Sequence, residues 1–353
     1  MPRAAFVYTD AFTDYHLSDT HPLQQRRLQM THRLLERLGA FDRPGSHLIA
    51  PTTATRADLL RVHTPEYLDA LQALSRGENV PQRGRFGFGS PDNPPFAGMW
   101  EASLLYAGAS LDCARLVLEG GYDAAFNTSG GLHHARPDRA AGFCTVADVP
   151  LVVCFLLDRG VKRVAVVDID AHHGDGTQAF FYDDPRVLTL SVHETPETLY
   201  PRKSGFAGEA GTGPGLGFNV NLPLLPGTGD ADCRAVFDAA ILPRLTAFDP
   251  EIVILQVGAD AHFSDPLAHL CLTSRGWLGL AEAVLALGHP TIALGGGGYH
   301  LESVARLWAL LYGALAGLEL GELHDTSGPT EAERQAVFAE VWGRRSKRPP
   351  RPQ

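Results

Sequence analysis

The stretch that decides the fold is Arg163-Val164-Ala165-Val166-Val167-Asp168-Ile169-Asp170-Ala171-His172-His173-Gly174-Asp175-Gly176. Its first part, Arg163 to Asp168, is a short valine-rich run that reads as a central strand buried on both faces. From Asp168 onward it carries three carboxylates and two imidazoles directly behind that strand. Burying so many ionisable groups without compensation is very costly, and a divalent cation removes the cost. In extended chain, residues two apart project to the same side, so Asp170 and His172 converge as nitrogen and oxygen ligands. The competing reading is a solvated acidic loop with Asp175 capping a following helix.

Working outward, three more runs have the same strand character: Val187 to Val192, Glu251 to Val257 and Thr291 to Leu294. Phe218 to Asn221 also looks like a strand, after the glycine-rich loop Gly211 to Gly217. Apolar residues recur at helical spacing in Leu23 to Leu38, Glu101 to Leu118, Arg275 to Leu287 and Ser303 to Leu318. The alternation predicts an α/β fold: three layers, αβα, around a mostly parallel sheet. Ligand sites of such sheets lie on the loops beyond the strands' carboxyl ends. Three of the predicted strands run straight into polar or glycine clusters, Asp168 to Gly176, Gly258 to Pro266 and Gly295 to His300, which suggests one site built from three loops. No repeat or linker interrupts the chain, so residues 1–342 read as a single domain.

The Gly258-Ala259-Asp260-Ala261-His262-Phe263-Ser264-Asp265-Pro266 cluster can supply a third oxygen ligand. In Ser129-Gly130-Gly131-Leu132-His133-His134-Ala135, two adjacent imidazoles follow a glycine pair. Each needs an acceptor to fix its tautomer, and Asp168 and Asp175 are carboxylates available for that. Gly295-Gly296-Gly297-Gly298-Tyr299 lacks the Lys-Ser/Thr ending of a phosphate loop and reads as a turn that delivers Tyr299 to the site.

The chain has 353 residues and a net charge of −10. Its last stretch, 343–353, is basic and proline-rich, with Arg344, Arg345, Lys347, Arg348 and Arg351, and is expected to be a disordered tail. The acidic body argues against nucleic-acid binding and for a cationic substrate. Five cysteines, with no Cys-x-x-Cys pair, suggest core residues in a reduced, cytoplasmic setting, and no run is long enough for a membrane span or a secretion signal.

Taken together, the His21-Pro22 and Arg27 helix start, Arg61 to Tyr67, Ser129 to Ala135, Gly142-Phe143-Cys144, Asp168 to Gly176, Asp265-Pro266 and Gly295 to Tyr299 resemble the histone deacetylase and acetoin-utilisation protein family, the arginase/deacetylase fold, from about His21 to Leu318. The resemblance implies a zinc-dependent deacylase that hydrolyses the amide of an N-acetylated amine, acetyl-lysine or acetylpolyamine. It implies one Zn²⁺ on Asp170, His172 and Asp265, with Asp168 behind His133 and Asp175 behind His134. It implies a K⁺ or Na⁺ ion drawing on Asp168, Asp170, His172 and Ser191. It further implies a substrate channel of Asp92, Gly142, Phe143, Tyr200, Leu272 and Gly297, an inner pocket at Arg27, and Tyr299 as a catalytic phenol. Two departures bear on substrate choice: Leu132 stands where many relatives have Trp, and Tyr200 where Phe is common. The alternatives are a binuclear manganese ureohydrolase on the related fold, which needs ligands for a second metal, and a silent acyl-ligand binding protein.

Overall fold

The Arg163–Asp168 run is a central strand of one eight-stranded sheet in the computed structural model, which describes residues 2–346. In chain order the elements are β1 (Ala4–Val7), α1 (Arg26–Arg37), β2 (Ser46–Ile49), α2 (Arg56–Leu59), α3 (Pro65–Ser75), α4 (Met99–Leu118), β3 (Ala124–Asn127) and α5 (Asp148–Asp158). Next come β4 (Val164–Asp168), α6 (Asp175–Phe181), β5 (Val187–Glu194), β6 (Asn219–Leu224), α7 (Asp230–Ala240) and α8 (Leu242–Phe248). The chain then forms β7 (Ile252–Gln256), α9 (Ser274–Leu285), β8 (Thr291–Leu294), α10 (Leu301–Ala316) and α11 (Glu331–Ser346).

Every pairing is parallel, in the order β2-β1-β3-β8-β7-β4-β5-β6. The predicted strands and helices all form, with ends shifted by a few residues; β1, β2 and β3 were not anticipated as strands. Both sheet faces are covered. Phe126 points toward α10, its ring edge-on to Trp308 at 6.3 Å, while the next residue, Asn127, points the other way and donates to Ser110 of α4 at 2.9 Å. Phe6, fully buried, packs against Phe126 and Tyr312. Removing such a ring from water is worth roughly 2–3 kcal/mol.

The register explains where the chemistry sits. Asn127, Leu294, Gln256, Asp168, Ser191 and Asn221 form one line of partners, which crosses the last residues of β3, β8, β7 and β4 and the interior of β5 and β6. β3, β4 and β7 are apolar up to that line and end on it with a polar residue, Asn127, Asp168 and Gln256, while β8 reaches it with Leu294. The loops after the neighbouring strands β3, β8, β7 and β4 therefore open at one place. The site has four loops, since the His133-His134 segment follows β3.

The expected tail boundary at residue 343 does not hold for its first residues. Helix α11 continues through 343–346, with Gln335 reaching back to Glu331 and Arg344 to Glu340 one turn apart. Residues 347–353, where the rest of that tail was expected, lie outside the described residues. The cysteines are all free thiols, and all but Cys154 are buried. Among the described residues no helix is long and apolar enough to cross a membrane.

Candidate active site

Asp170, His172 and Asp260 each offer one ligand atom, and these atoms lie within 4.8 Å of one another. Asp170 and His172 come from the loop after β4, as their spacing predicts, and Asp260 from the loop after β7. His172 Nδ1 lies 2.9 Å from Asp260 Oδ2 and 3.2 Å from Asp170 Oδ1. Asp170 is further held by the Gly297 N–H at 2.7 Å and Asp260 by the Ala171 N–H at 2.8 Å. Both carboxylates are essentially inaccessible, at 1% and 0% exposure. Burial opposes ionisation of both. At Asp170 the imidazoles of His133 and His172 prevail and hold the carboxyl well below its usual range; at Asp260 burial and the Asp170 charge carry it up.

The third member of this group is Asp260, which corrects the expectation of Asp265. Both Asp265 oxygens are committed to backbone N–H groups, Leu267 at 2.9 Å and Tyr299 at 2.8 Å. Burial and the neighbouring Asp260 push the Asp265 carboxyl up to about 7. The two aspartates share one loop, and the sequence pattern left open which of them turns toward His172.

A buried cluster with two carboxylates and one imidazole nitrogen suits a divalent cation of zinc's preferences, since oxygen and nitrogen donors converge and cationic charge answers the paired acids. Gly297 makes this convergence possible: a Cβ there would fall 2.0 Å from Asp260 Oδ2 and 2.9 Å from Asp170 Oδ2.

Beside this group stand two histidine–aspartate pairs. His133 Nδ1 meets Asp168 Oδ2 at 2.8 Å, and His134 Nδ1 meets Asp175 Oδ1 at 2.7 Å. Asp175 is the first residue of α6, but the cap position is Gly174 and no side chain caps the helix, so the capping reading does not hold and the carboxylate serves His134 and Arg136 instead. An ionised carboxylate only accepts, so each Nδ1 carries the proton and each Nε2 turns inward. The two Nε2 atoms are 3.1 Å apart, where one must donate to the other. Their proton affinities divide accordingly. At His133 burial is overcome by the Asp168 and Asp170 carboxylates, which raise it to about 9; at His134 burial and the His133 charge lower it to about 4. Burial lifts the Asp168 carboxyl to about 6, against the pull of His133.

Aromatic rings pack beside the histidines. The Tyr299 ring stands perpendicular to His172 with centroids 6.4 Å apart, Tyr200 perpendicular to His134 at 4.9 Å, and Phe143 edge-on to Tyr299 at 5.8 Å. Phe143 adopts φ of 70°, which costs a non-glycine residue about 1–3 kcal/mol, and its carbonyl is held by the Tyr15 hydroxyl at 2.9 Å. Gly142 precedes it with φ of 49°, and a Cβ there would lie 2.3 Å from the His134 ring and 3.0 Å from Tyr200. Asp92 is exposed; its carbonyl accepts from His21 Nε2 at 3.3 Å, and the His21 ring packs edge-on to Phe143. Arg27 is buried beneath the site, its guanidinium over Trp308 and donating to the Gly298 carbonyl at 3.0 Å. Ser191 pairs with Asp168 across β4 and β5, and its hydroxyl meets His193 Nδ1 at 2.8 Å.

Leu272 does not join these rings. It is 1% exposed, pairs through its backbone with Ala261 and Phe263, and its side chain belongs to the hydrophobic core. Three residues that the sequence reading missed support the site. Gln256 donates to the Gly131 carbonyl and to Asp170; Asp148 accepts from the Gly131 and Leu132 N–H groups; Arg136 pairs with Asp175 at 2.6 Å. Gln256 had a legible signal, as the one polar residue inside an apolar strand.

The comparisons with known proteins agree with this geometry. Residues 21–315 match the model of the histone deacetylase domain. The acetoin utilization protein AcuC of Bacillus subtilis is 36% identical over 328 residues, covering 91% of this chain and 84% of that protein. The histone deacetylase clr6 of Schizosaccharomyces pombe is 36% identical over 323 residues, covering 91% and 78%. The crystal structure of an HDAC homolog from Aquifex aeolicus superimposes with a TM-score of 0.87 at 29% identity, covering 96% of this chain and 99% of that one. With a matching domain model, relatives along nearly the whole chain and a buried Asp-His-Asp group at the expected sheet edge, the chain belongs to the histone deacetylase family and is an amidohydrolase of the deacetylase class.

Proposed function

We propose that the protein is a zinc-dependent deacylase that cleaves the amide of an N-acetylated amine, acetyl-lysine in a peptide or an acetylpolyamine. The observation that carries this reading is the juxtaposition of two aspartate-oriented histidines, Nε2 to Nε2 at 3.1 Å, with the Asp170, His172 and Asp260 group. Those three residues would hold the zinc, which when bound supplies a Lewis acid for the carbonyl and lowers the pKa of water.

The chain's own residues then divide the work. His134, neutral and with its Nδ1 proton held by Asp175, gives up the His133 N–H at its Nε2, accepts there the proton of the attacking water and returns it to the departing amine. His133, with Asp168 behind it, stays cationic and stabilises the charge that develops. Tyr299 donates its phenol proton as a hydrogen bond to the nascent oxyanion. Phe143 and Tyr200 enclose the apolar stem of the substrate, while Gly142 and Gly297 leave room for the His134 ring and for the ligand carboxylates. Asp92 holds the substrate at the mouth, and Arg27 closes the inner pocket where the acyl group ends.

Asp168 and Asp175 are each committed to a histidine, which leaves the Asp-His-Asp group as a one-metal site and favours this reading over a two-metal ureohydrolase. A K⁺ or Na⁺ ion near Asp168, Asp170, His172 and Ser191 is part of the proposal, supported by the gathering of oxygen-bearing side chains at that sheet edge. The acidic body of the chain suits a cationic substrate, and the free cysteines suit a cytoplasmic setting.

The test is a screen of the purified zinc-loaded protein against acetyl-lysine peptides, acetylpolyamines and longer acyl amides. Turnover of an acetylated amine supports the reading, and its ranking names the substrate class. Failure on all amides with zinc bound overturns it.

A further inference from the structure

The loop after β7 carries both Asp260 and Asp265, so whatever holds that loop sets the geometry of the metal group and of Tyr299 together. Its first residues are fixed by two indole N–H groups, Trp308 to the Val257 carbonyl and Trp277 to the Gly258 carbonyl, both at 2.8 Å. Its middle is fixed by His262, which is 1% exposed and lies between the two aspartates in sequence.

His262 Nε2 meets Asp325 Oδ2 at 2.8 Å. Asp325 lies beyond residue 315, where the match to the domain model ends. Its side chain is 7% exposed. The same carboxylate accepts from the Ser274 N–H at 2.8 Å and pairs with Arg306 at 3.0 Å, so it joins the loop to the start of α9 and to α10. Its own N–H donates to Ser274 Oγ at 2.9 Å.

Because the carboxylate only accepts, Nε2 of His262 bears the proton and Nδ1 is left as an acceptor. Nδ1 faces Ser264 Oγ at 2.8 Å, Ser264 Oγ faces Ser303 Oγ at 2.7 Å, and Ser303 is joined to His300, the residue after Tyr299. An unbroken polar chain thus runs from Asp325 through the loop of Asp260 and Asp265 to the turn that carries Tyr299.

We infer that Asp325 is a positioning residue for the metal centre, acting through His262 to hold Asp260 and the Asp265–Tyr299 contact in place. The inference rests on the proposed reading of Asp170, His172 and Asp260 as zinc ligands. Outer partners of metal ligands typically contribute about 10- to 100-fold in metal affinity, and Asp325, one step further out, should stand at the lower end.

The experiment uses the full chain and measures the zinc dissociation constant by chelator competition, with kcat and KM on an acetyl-lysine peptide beside it. Asp325→Ala should weaken zinc by about 10-fold and lower kcat while KM changes little. Asp325→Asn, which keeps an oxygen for the His262 N–H, should recover most of the affinity. In the His262→Leu background, Asp325→Ala should add almost nothing, since the coupling passes through that imidazole. Should Asp325→Ala not fold, His262→Leu alone cuts the same link from the other side and should weaken zinc by a similar factor, and wild-type zinc affinity in that folded variant overturns the inference. Wild-type zinc affinity in a folded Asp325→Ala protein, or an undiminished loss on the His262→Leu background, overturns the inference. A wild-type chain that binds no zinc overturns the underlying reading, and this arm is read before any Asp325 variant.

Discussion

Asp265 accepts the backbone N–H of Tyr299 at 2.8 Å, so the carboxylate at the far end of the metal loop clamps the turn that carries the phenol. Its neighbour Asp260 faces His172 Nδ1 instead. The two acids of one loop therefore have separable effects. Asp260→Ala should abolish zinc binding, because it removes one of three ligands. Asp265→Ala should retain about one zinc per chain yet lose about 10- to 100-fold in kcat through a displaced Tyr299. Elemental analysis of both variants, with kcat, checks this; loss of zinc in Asp265→Ala and retention in Asp260→Ala would reverse the assignment.

Tyr299→Phe removes one hydrogen bond and keeps the ring that packs on Phe143 and His172. If the phenol stabilises the oxyanion, kcat should fall about 10²- to 10³-fold, roughly 3–4 kcal/mol. Zinc content and melting temperature should stay at wild-type values. An unchanged kcat would remove Tyr299 from the mechanism.

Much of this arrangement is legible in the sequence for a physical reason. A short β-branched run ending in Asp168 reads as a buried strand, and a parallel strand delivers the residues after it to the sheet's carboxyl edge. The same logic located the Gly258 to Pro266 and Gly295 to His300 loops. What it could not decide was the turn within a loop: Asp260 and Asp265 are both acidic, and only the hydrogen bonds of Leu267 and Tyr299 separate them. Leu272 failed for a related reason, since its burial is set by backbone pairing with Ala261 and Phe263 across the fold. Short strands such as Ala4–Val7 and Ala124–Asn127 escaped notice because four residues, two of them alanine, carry little periodic signal.

His63 makes acid sensitivity a measurable property of the segment that holds Gly142 and Phe143. Its Nε2 accepts from the Ala147 N–H at 2.9 Å and its Nδ1 faces the Pro137 carbonyl at 3.3 Å, so it anchors both ends of the segment that holds Gly142 and Phe143 and must be neutral to do so. Burial lowers its pKa from 6.5 to about 4, only partly offset by hydrogen bonding to backbone carbonyls. The unfolded chain takes up this proton first as pH falls. The contribution is therefore complete above the unfolded value and is lost from about pH 6.5 down to about 4, on the order of 3 kcal/mol in all. Denaturant unfolding should show the wild-type advantage over His63→Gln shrinking across that window; a constant difference would mean that the imidazole does not titrate with folding.

Asp92 is exposed while its carbonyl is tied to His21. If its carboxylate receives backbone N–H groups of a bound peptide, Asp92→Ala should raise KM for an acetyl-lysine peptide about 10-fold or more, the worth of a hydrogen bond to a charged group. A minimal acetylated amine lacks those N–H groups, and its KM should change little. Equal changes for both substrates would make Asp92 a loop residue only.

The most direct measurement is a zinc titration of metal-free protein while hydrolysis of an acetylated amine is followed. Activity should rise linearly and level off at one equivalent per chain, and Asp170→Ala protein should stay flat throughout. Activity that breaks at two equivalents, that appears with manganese alone, or that never appears with zinc fully bound would contradict a single-zinc deacylase built on Asp170, His172 and Asp260.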